Sequence, residues 1–170
     1  MSKNIVQRSL PEKAATFSHA LPATMQRILQ TRNISNEAEL EYRLASLLRP
    51  NELKGLNRAV VILADAIEAG EKILIVGDFD ADGATSTCLG LLAMQAMGAI
   101  DPDYLVPNRF EYGYGLTPEI VEVVKERSPS VLVTVDNGIS SIEGVKAAKA
   151  YGMKVVVTDH HLPGDELPDA

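Results

Sequence analysis

A single cysteine stands among the 170 residues, so no internal disulfide can form and a reduced, cytoplasmic setting is expected. That residue, Cys88, falls in an apolar stretch and reads as a small core residue rather than a nucleophile. Long apolar runs are missing as well. None reaches the length of a membrane span, and residues 1–8 carry no signal-peptide hydrophobic core, so no membrane partner is expected. There is no glycine-rich loop of nucleotide-binding type and no Ser/His/Asp arrangement at workable spacing. Internal repeats and low-complexity segments are absent too.

What is present suffices for one ordinary domain with a real core plus an appendage, since 46% of the residues are hydrophobic. The net charge of −7 is unevenly spread: nine basic and five acidic residues lie up to Arg58, and seven and eighteen lie beyond it. An acidic globule argues against nucleic acid. The exception is a chain whose acids are metal ligands, because a divalent ion offsets their charge. The basic leading segment suits either phosphate contact or a solvated face.

Residues up to about Ala20 have no periodicity, and the lone His19 reads as a structural residue. Residues 22–32 fit a short helix with Met25, Ile28 and Leu29 on one face. Asn36 and Glu39 have capping-box spacing, and Leu40, Leu44, Leu47 and Leu48 follow as a second helix that Pro50 ends. Leu56, Val60, Leu63 and Ile67 make a third stripe, closed by Gly70. From Lys72 the rhythm changes. Strands are predicted at 73–76, 104–106, 131–135 and 155–157, with helices at 84–97, 117–126 and 142–151. This alternation with short links predicts an α/β fold: a mostly parallel sheet flanked by helices, preceded by a short helical segment. The division is expected near residue 55, with 1–55 as the helical segment and 56–170 as the α/β part.

The chain is organised around residues 72–86, where a buried-strand pattern stops and Asp78, Asp80 and Asp82 follow at every second position. In extended backbone, residues two apart share a side and lie about 7 Å from each other. The three carboxylates therefore converge if the chain stays extended through Ala81. Two such charges about 6 Å apart repel by roughly 3 kcal/mol at an effective dielectric of about 20. Their gathering calls for a cation, and hard oxygen ligands suit Mg²⁺ or Mn²⁺. The following segment, 88–100, reads as a buried helix.

Each later strand also ends in chemistry. After Val106 come Pro107, Asn108, Arg109 and a Gly113-Tyr114-Gly115 loop; after Val135 come Asp136, Asn137 and Gly138; after Val157 come Thr158, Asp159, His160 and His161. Parallel strands bring all of these to one rim of one sheet. Asp136 reads as a bridging metal ligand, and Gly138 lets the backbone approach an anion. Adjacent histidines diverge, so one is a ligand and the other a phosphate contact; the order stays open, with His160 favoured as ligand. Asp159 reads as the group that holds a histidine ring in its tautomer. Arg109 offers a planar fork for phosphate. Tyr112 and Tyr114 either stack on a base or pack.

Two other aspartate motifs fail. A calcium-binding EF-hand loop requires Glu where this chain has Leu89, and a helix where it has a strand. Haloacid-dehalogenase-type phosphatases carry Thr or Val where this chain has Asp82, and have no use for Asp159-His160-His161.

Val76-Gly-Asp-Phe-Asp-Ala-Asp-Gly83, Val135-Asp-Asn-Gly-Ile-Ser140 and Thr158-Asp-His-His161 together resemble the ordered motifs of the DHH phosphoesterases. Pro107-Asn-Arg109 with Gly113-Tyr-Gly-Leu116 is similar to the loop of that family's single-strand-specific 5′→3′ DNA exonucleases. The resemblance implies two Mn²⁺ or Mg²⁺ ions held by Asp80, Asp82, Asp136 and His160, with Asp78 a ligand or near neighbour. It further implies phosphate contacts from His161 and Arg109, a substrate role for Asn108 and Gly138, and single-stranded DNA as substrate in repair and recombination. A single-strand-binding protein and a helicase are the implied protein partners. Other members acting on short oligonucleotides, cyclic dinucleotides or pyrophosphate are the alternative. Such exonucleases continue past Asp-His-His with a further metal-binding aspartate and DNA-gripping domains. The 170 residues are therefore expected to be an incomplete DHH domain with little or no nuclease activity and weak metal affinity alone.

Overall fold

The computed structural model describes residues 4–13, 15–18 and 21–170, and His19 lies outside them. Two compact units divide between Glu52 and Leu53. In the first, helix α1 spans Ala23–Thr31. The second expected helix is not continuous: residues 37–52 hold three single 3-10 turns, Glu37–Leu40, Leu44–Ser46 and Pro50–Glu52. The cap chemistry is in place, with Asn36 accepting from the Ala38 amide and Glu39 from the Ser35 amide. Short helices depend on burying an apolar face, however, and Leu44, Leu47 and Leu48 are largely exposed. The cap starts one turn and nothing carries it on.

The second unit starts with helix α2 (Leu56–Glu68), stopped by Gly70 at φ 65°. Then come strand β1 (Ile73–Val76), helix α3 (Ala81–Ala96) and strand β2 (Asp103–Leu105). A short helix α4 (Arg109–Tyr112) and helix α5 (Pro118–Lys125) lead to strand β3 (Val131–Val135). Helix α6 (Ile142–Ala150) and strand β4 (Lys154–Thr158) complete it. The strands form one sheet in the order β2-β1-β3-β4, every neighbouring pair parallel. Strand direction and chain order together put the topological switch between β1 and β3, the crevice where open α/β sheets bind ligands.

Alternation along the strands splits their side chains between two cores. Leu74, Val76, Leu132 and Val155 pack with Leu116, with Ile120, Val121 and Val124 of α5, and with Val145 and Ala148 of α6. Ile73, Ile75, Val131, Val133 and Val156 pack with Ala66 of α2 and Met94 of α3. Thr117 caps α5, with Pro118 in its first turn, as spacing and composition favour.

Helix α3 departs from expectation twice. It starts at Ala81, three residues early, because Asp80 takes the N-cap position and accepts from the Gly83 amide at 3.3 Å. It is also buried on one side only. Gly83, Thr87 and Met94 face the sheet, while Leu89 and Leu92 are 69% and 59% exposed. Cys88, one residue on from Thr87 and so about 100° around the helix, is exposed rather than in the core. Among the described residues, no helix is long and apolar enough to cross a membrane.

Candidate metal centre

Strand β1 ends at Val76, and Gly77 and Asp78 follow in a tight passage onto α3. A Cβ on Gly77 would lie 2.1 Å from Thr87 Oγ1, and one on Gly83 would lie 2.6 Å from the Asp78 carbonyl oxygen. Only glycine at both positions lets the head of α3 sit this close to the strand end. Because the helix is already under way at Asp82, the three aspartates do not converge as extended backbone would make them. Asp78 is buried, Asp80 caps the helix, and the Asp82 side chain is 66% exposed in its first turn.

Strand β3 delivers Asp136 in left-handed backbone, φ 63°, a conformation aspartate tolerates better than most residues. Its amide donates to the Thr158 carbonyl at 3.0 Å, and its side chain is 6% exposed. Strand β4 then supplies the imidazoles. His160 Nε2 lies 2.9 Å from Asp136 Oδ1 and 3.6 Å from Asp82 Oδ2. His161 Nδ1 lies 2.7 Å from Asp159 Oδ1, and the Tyr114 hydroxyl is 3.0 Å from the same nitrogen. The other Asp159 oxygen accepts from the Ile139 amide at 2.9 Å, tying the Gly138 loop to the histidine pair.

The loop after β2 brings the remaining residues. Arg109 Nη2 donates to both oxygens of Asp78, at 2.8 and 2.6 Å. Asn108 is engaged as the cap of α4, accepting from the Phe110 amide at 3.1 Å. Tyr114 packs beside Arg109 and His161, and Tyr112 packs on the core beneath. An open cleft of about 480 Å³ runs between Tyr114, Gly138, Ser140, Asp159 and His161.

The sequence reading missed two residues that hold this arrangement. Asn137 is buried and its amide nitrogen donates to the carbonyls of Val76 at 3.1 Å and Val135 at 2.9 Å, stapling the ends of β1 and β3 across the switch. Ser141 Oγ accepts from the Leu116 amide at 3.0 Å and anchors the glycine loop. An amide directly after a strand-end acid was the available signal for the first; nothing local marked the second.

Burial, then the neighbouring Asp82 and Asp80 charges, push the Asp136 carboxyl above its ordinary value, and the His160 contact only partly offsets this. Burial also works to raise Asp159. Hydrogen bonds from the Ile139 and His161 amides and from the His161 ring outweigh it, and the net displacement is downward. The hydrogen bond to Asp159 raises His161. Burial followed by the Asp159, Asp78 and Asp136 charges pushes Tyr114 up to about 12.

Two donor groups overlap. Oxygens of Asp78, Asp80 and Asp136 come within 4.8 Å of one another, and so do donor atoms of Asp136, His160 and His161. The buried and only partly compensated Asp136 belongs to both. Carboxylates with imidazole at this separation fit Mn²⁺ or a similar hard-to-borderline divalent ion.

Residues 72–170 match the DHH family, N-terminal domain, and the chain belongs to that family. Over all 170 residues it is 48% identical to the single-stranded-DNA-specific exonuclease RecJ of Haemophilus influenzae. Over 165 residues, 97% of its length, it is 48% identical to the protein of the same name from Escherichia coli K12. The chain spans 29% of the length of each of these relatives. A crystal structure of exonuclease RecJ bound to manganese superposes with a TM-score of 0.65 at 38% identity, covering 72% of this chain and 31% of that one. The Mn²⁺ complex of RecJ from Thermus thermophilus gives 0.61 at 32% identity, covering 83% of this chain and 19% of that one.

Proposed function

We propose that this chain is the amino-terminal part of a Mn²⁺- or Mg²⁺-dependent, cytoplasmic phosphodiesterase that shortens single-stranded DNA from its 5′ end in repair and recombination. Residues 56–170 are the first part of its catalytic domain. A single-strand-binding protein and a helicase belong to the same proposal as partners. The observation that carries the reading is the meeting of Asp82 after β1, Asp136 after β3 and His160 after β4 around one imidazole nitrogen. The similarity to single-stranded-DNA-specific exonucleases over the whole chain supports the substrate class.

Asp80, Asp82, Asp136 and His160 would hold the ions, with Asp78 a ligand or near neighbour. Bound there, divalent ions supply Lewis acidity that makes a water more acidic and offsets charge on the departing oxygen. The chain's own groups do the rest. Arg109 binds a non-bridging phosphate oxygen through its fixed charge and planar fork. His161 meets the same phosphate, its ring oriented by Asp159 and its proton held more tightly because of it. Gly138, at φ 111°, keeps the loop backbone close enough for its amides to face the anion. No covalent enzyme intermediate is required.

The test is a chimera in which residues 1–170 replace the matching part of E. coli RecJ, offered long single strands labelled at either end with Mn²⁺. Release of label from the 5′ end, abolished by Asp136→Asn, is the expected result. A folded chimera that cleaves only very short oligomers, cyclic dinucleotides or pyrophosphate would falsify the exonuclease reading in favour of another DHH phosphoesterase activity.

A further inference from the structure

We propose that Asp78 is the positioning residue for Arg109 and not a metal ligand, although its oxygens lie within reach of Asp80 and Asp136. The inference rests on the reading above in which Arg109 meets the substrate phosphate.

Both carboxylate oxygens of Asp78 are already engaged. Oδ1 accepts from the Phe79 amide at 2.7 Å and from Arg109 Nη2 at 2.8 Å, and Oδ2 accepts from the same Nη2 at 2.6 Å. The Asp78 side chain is only 10% exposed, so this fixed positive partner stands where solvent or a cation would otherwise compensate it. A divalent ion on Asp78 would have to crowd the guanidinium or expel it.

The guanidinium is held on its faces as well as at its end. The Phe79 ring centroid lies 4.1 Å from Arg109 Cζ, and the Tyr114 centroid lies 4.8 Å from it. This gives Phe79, a large apolar residue 57% exposed between two aspartates, a reason to be there. Gly113 and Gly115, at φ 78° and 76°, turn the chain back so that Tyr114 returns to the arginine that begins α4. With Phe79 and Tyr114 packed against it and Nη2 committed to Asp78, Nε is buried with no partner and Nη1 makes no hydrogen bond among the described residues. Because Nε is buried, Nη1 is the donor left for a phosphate oxygen, its direction set by Asp78 through the fork.

The side-chain ¹⁵N resonances of Arg109, assigned by their loss in Arg109→Lys, test this on the chain itself. A clamped guanidinium shows separate Nη signals. They should be resolved in the wild type, merge in Asp78→Asn, and stay resolved when millimolar Mg²⁺ is added. Averaged signals in the wild type, no change in Asp78→Asn, or merging on Mg²⁺ addition each overturn the proposal. The Mg²⁺ titration needs no variant, so a misfolded Asp78→Asn leaves the question answerable. In parallel, Mn²⁺ uptake read by electron paramagnetic resonance should weaken by less than about tenfold in Asp78→Asn, below what even an outer-shell partner of a ligand costs. A larger loss, equal to that of Asp136→Asn, counts against it. A wild type with resolved Arg109 signals but no Mn²⁺ uptake defeats the metal reading above and leaves the clamp standing.

Discussion

His160 Nε2 lies 2.9 Å from Oδ1 of Asp136, joining the end of β4 to the end of β3 in the crevice where the strand order reverses. Asp136 is the costly member of the pair. It is buried in left-handed backbone and faces the Asp80 and Asp82 charges.

Asp136→Asn should therefore stabilise the metal-free chain at neutral pH. The folded carboxyl is raised above its unfolded value of about 3.9, so folding is favoured at low pH and loses ground as pH rises through that value. Asparagine removes the charge and keeps the backbone preference. A gain of a few degrees in Tm is expected at pH 7, the scale on which about 1 kcal/mol shifts a domain of this size. The gain should vanish near pH 4, and saturating Mn²⁺ should reverse the ranking. A less stable variant at pH 7 without metal would contradict the electrostatics described.

The contact between His161 and Asp159 should instead weaken at both ends of the pH range. His161 is raised, so its contribution is complete below about pH 6.5 and lost as pH climbs through the folded value; Asp159 is lowered, so its contribution is present above about pH 4 and lost as pH falls further. A double-mutant cycle with His161→Gln and Asp159→Asn, followed by urea denaturation, should give more coupling at pH 5.5 than at pH 9. Equal coupling at both would rule out the ionic component.

Gly144→Ala should destabilise the second unit by about 1–3 kcal/mol or more, the range for forcing atoms into a packed site. The added Cβ would lie 1.9 Å from the Leu116 carbonyl oxygen, a backbone atom that cannot swing aside. Since Leu116 ends the loop carrying Arg109 and Tyr114, the substitution should also merge the Arg109 Nη signals. An unchanged denaturation midpoint would show that α6 and this loop are looser than the packing implies.

Leucines of equal size should differ sharply by position. Leu132→Ala, fully buried in the central strand, should cost about 2–5 kcal/mol. Leu92→Gln, on the open side of α3, should stay within about 0.5 kcal/mol and improve solubility. Urea denaturation of both variants decides it; a large loss at Leu92 would mean that this face is covered in solution.

The architecture was legible because its signals are local. Apolar runs of four or five residues between turn formers marked β1 and β3, and the helix expected at 117–126 is α5. Parallel order then placed Asp78, Asp136 and Asp159-His160-His161 on one rim without any knowledge of distance. Leu40, Leu44, Leu47 and Leu48 misled for the complementary reason: helical spacing supplies a face, but only a partner surface makes it a helix.

Residue order alone fixed which groups reach the rim, since strand direction and side-chain period are properties of the backbone. Tertiary structure decided what each group does there. It chose Asp80 as a cap, set Asp82 on a helix, turned Cys88 outward and gave Asp78 to Arg109. Those outcomes depend on contacts between segments up to 31 positions apart, whose energies no local pattern records.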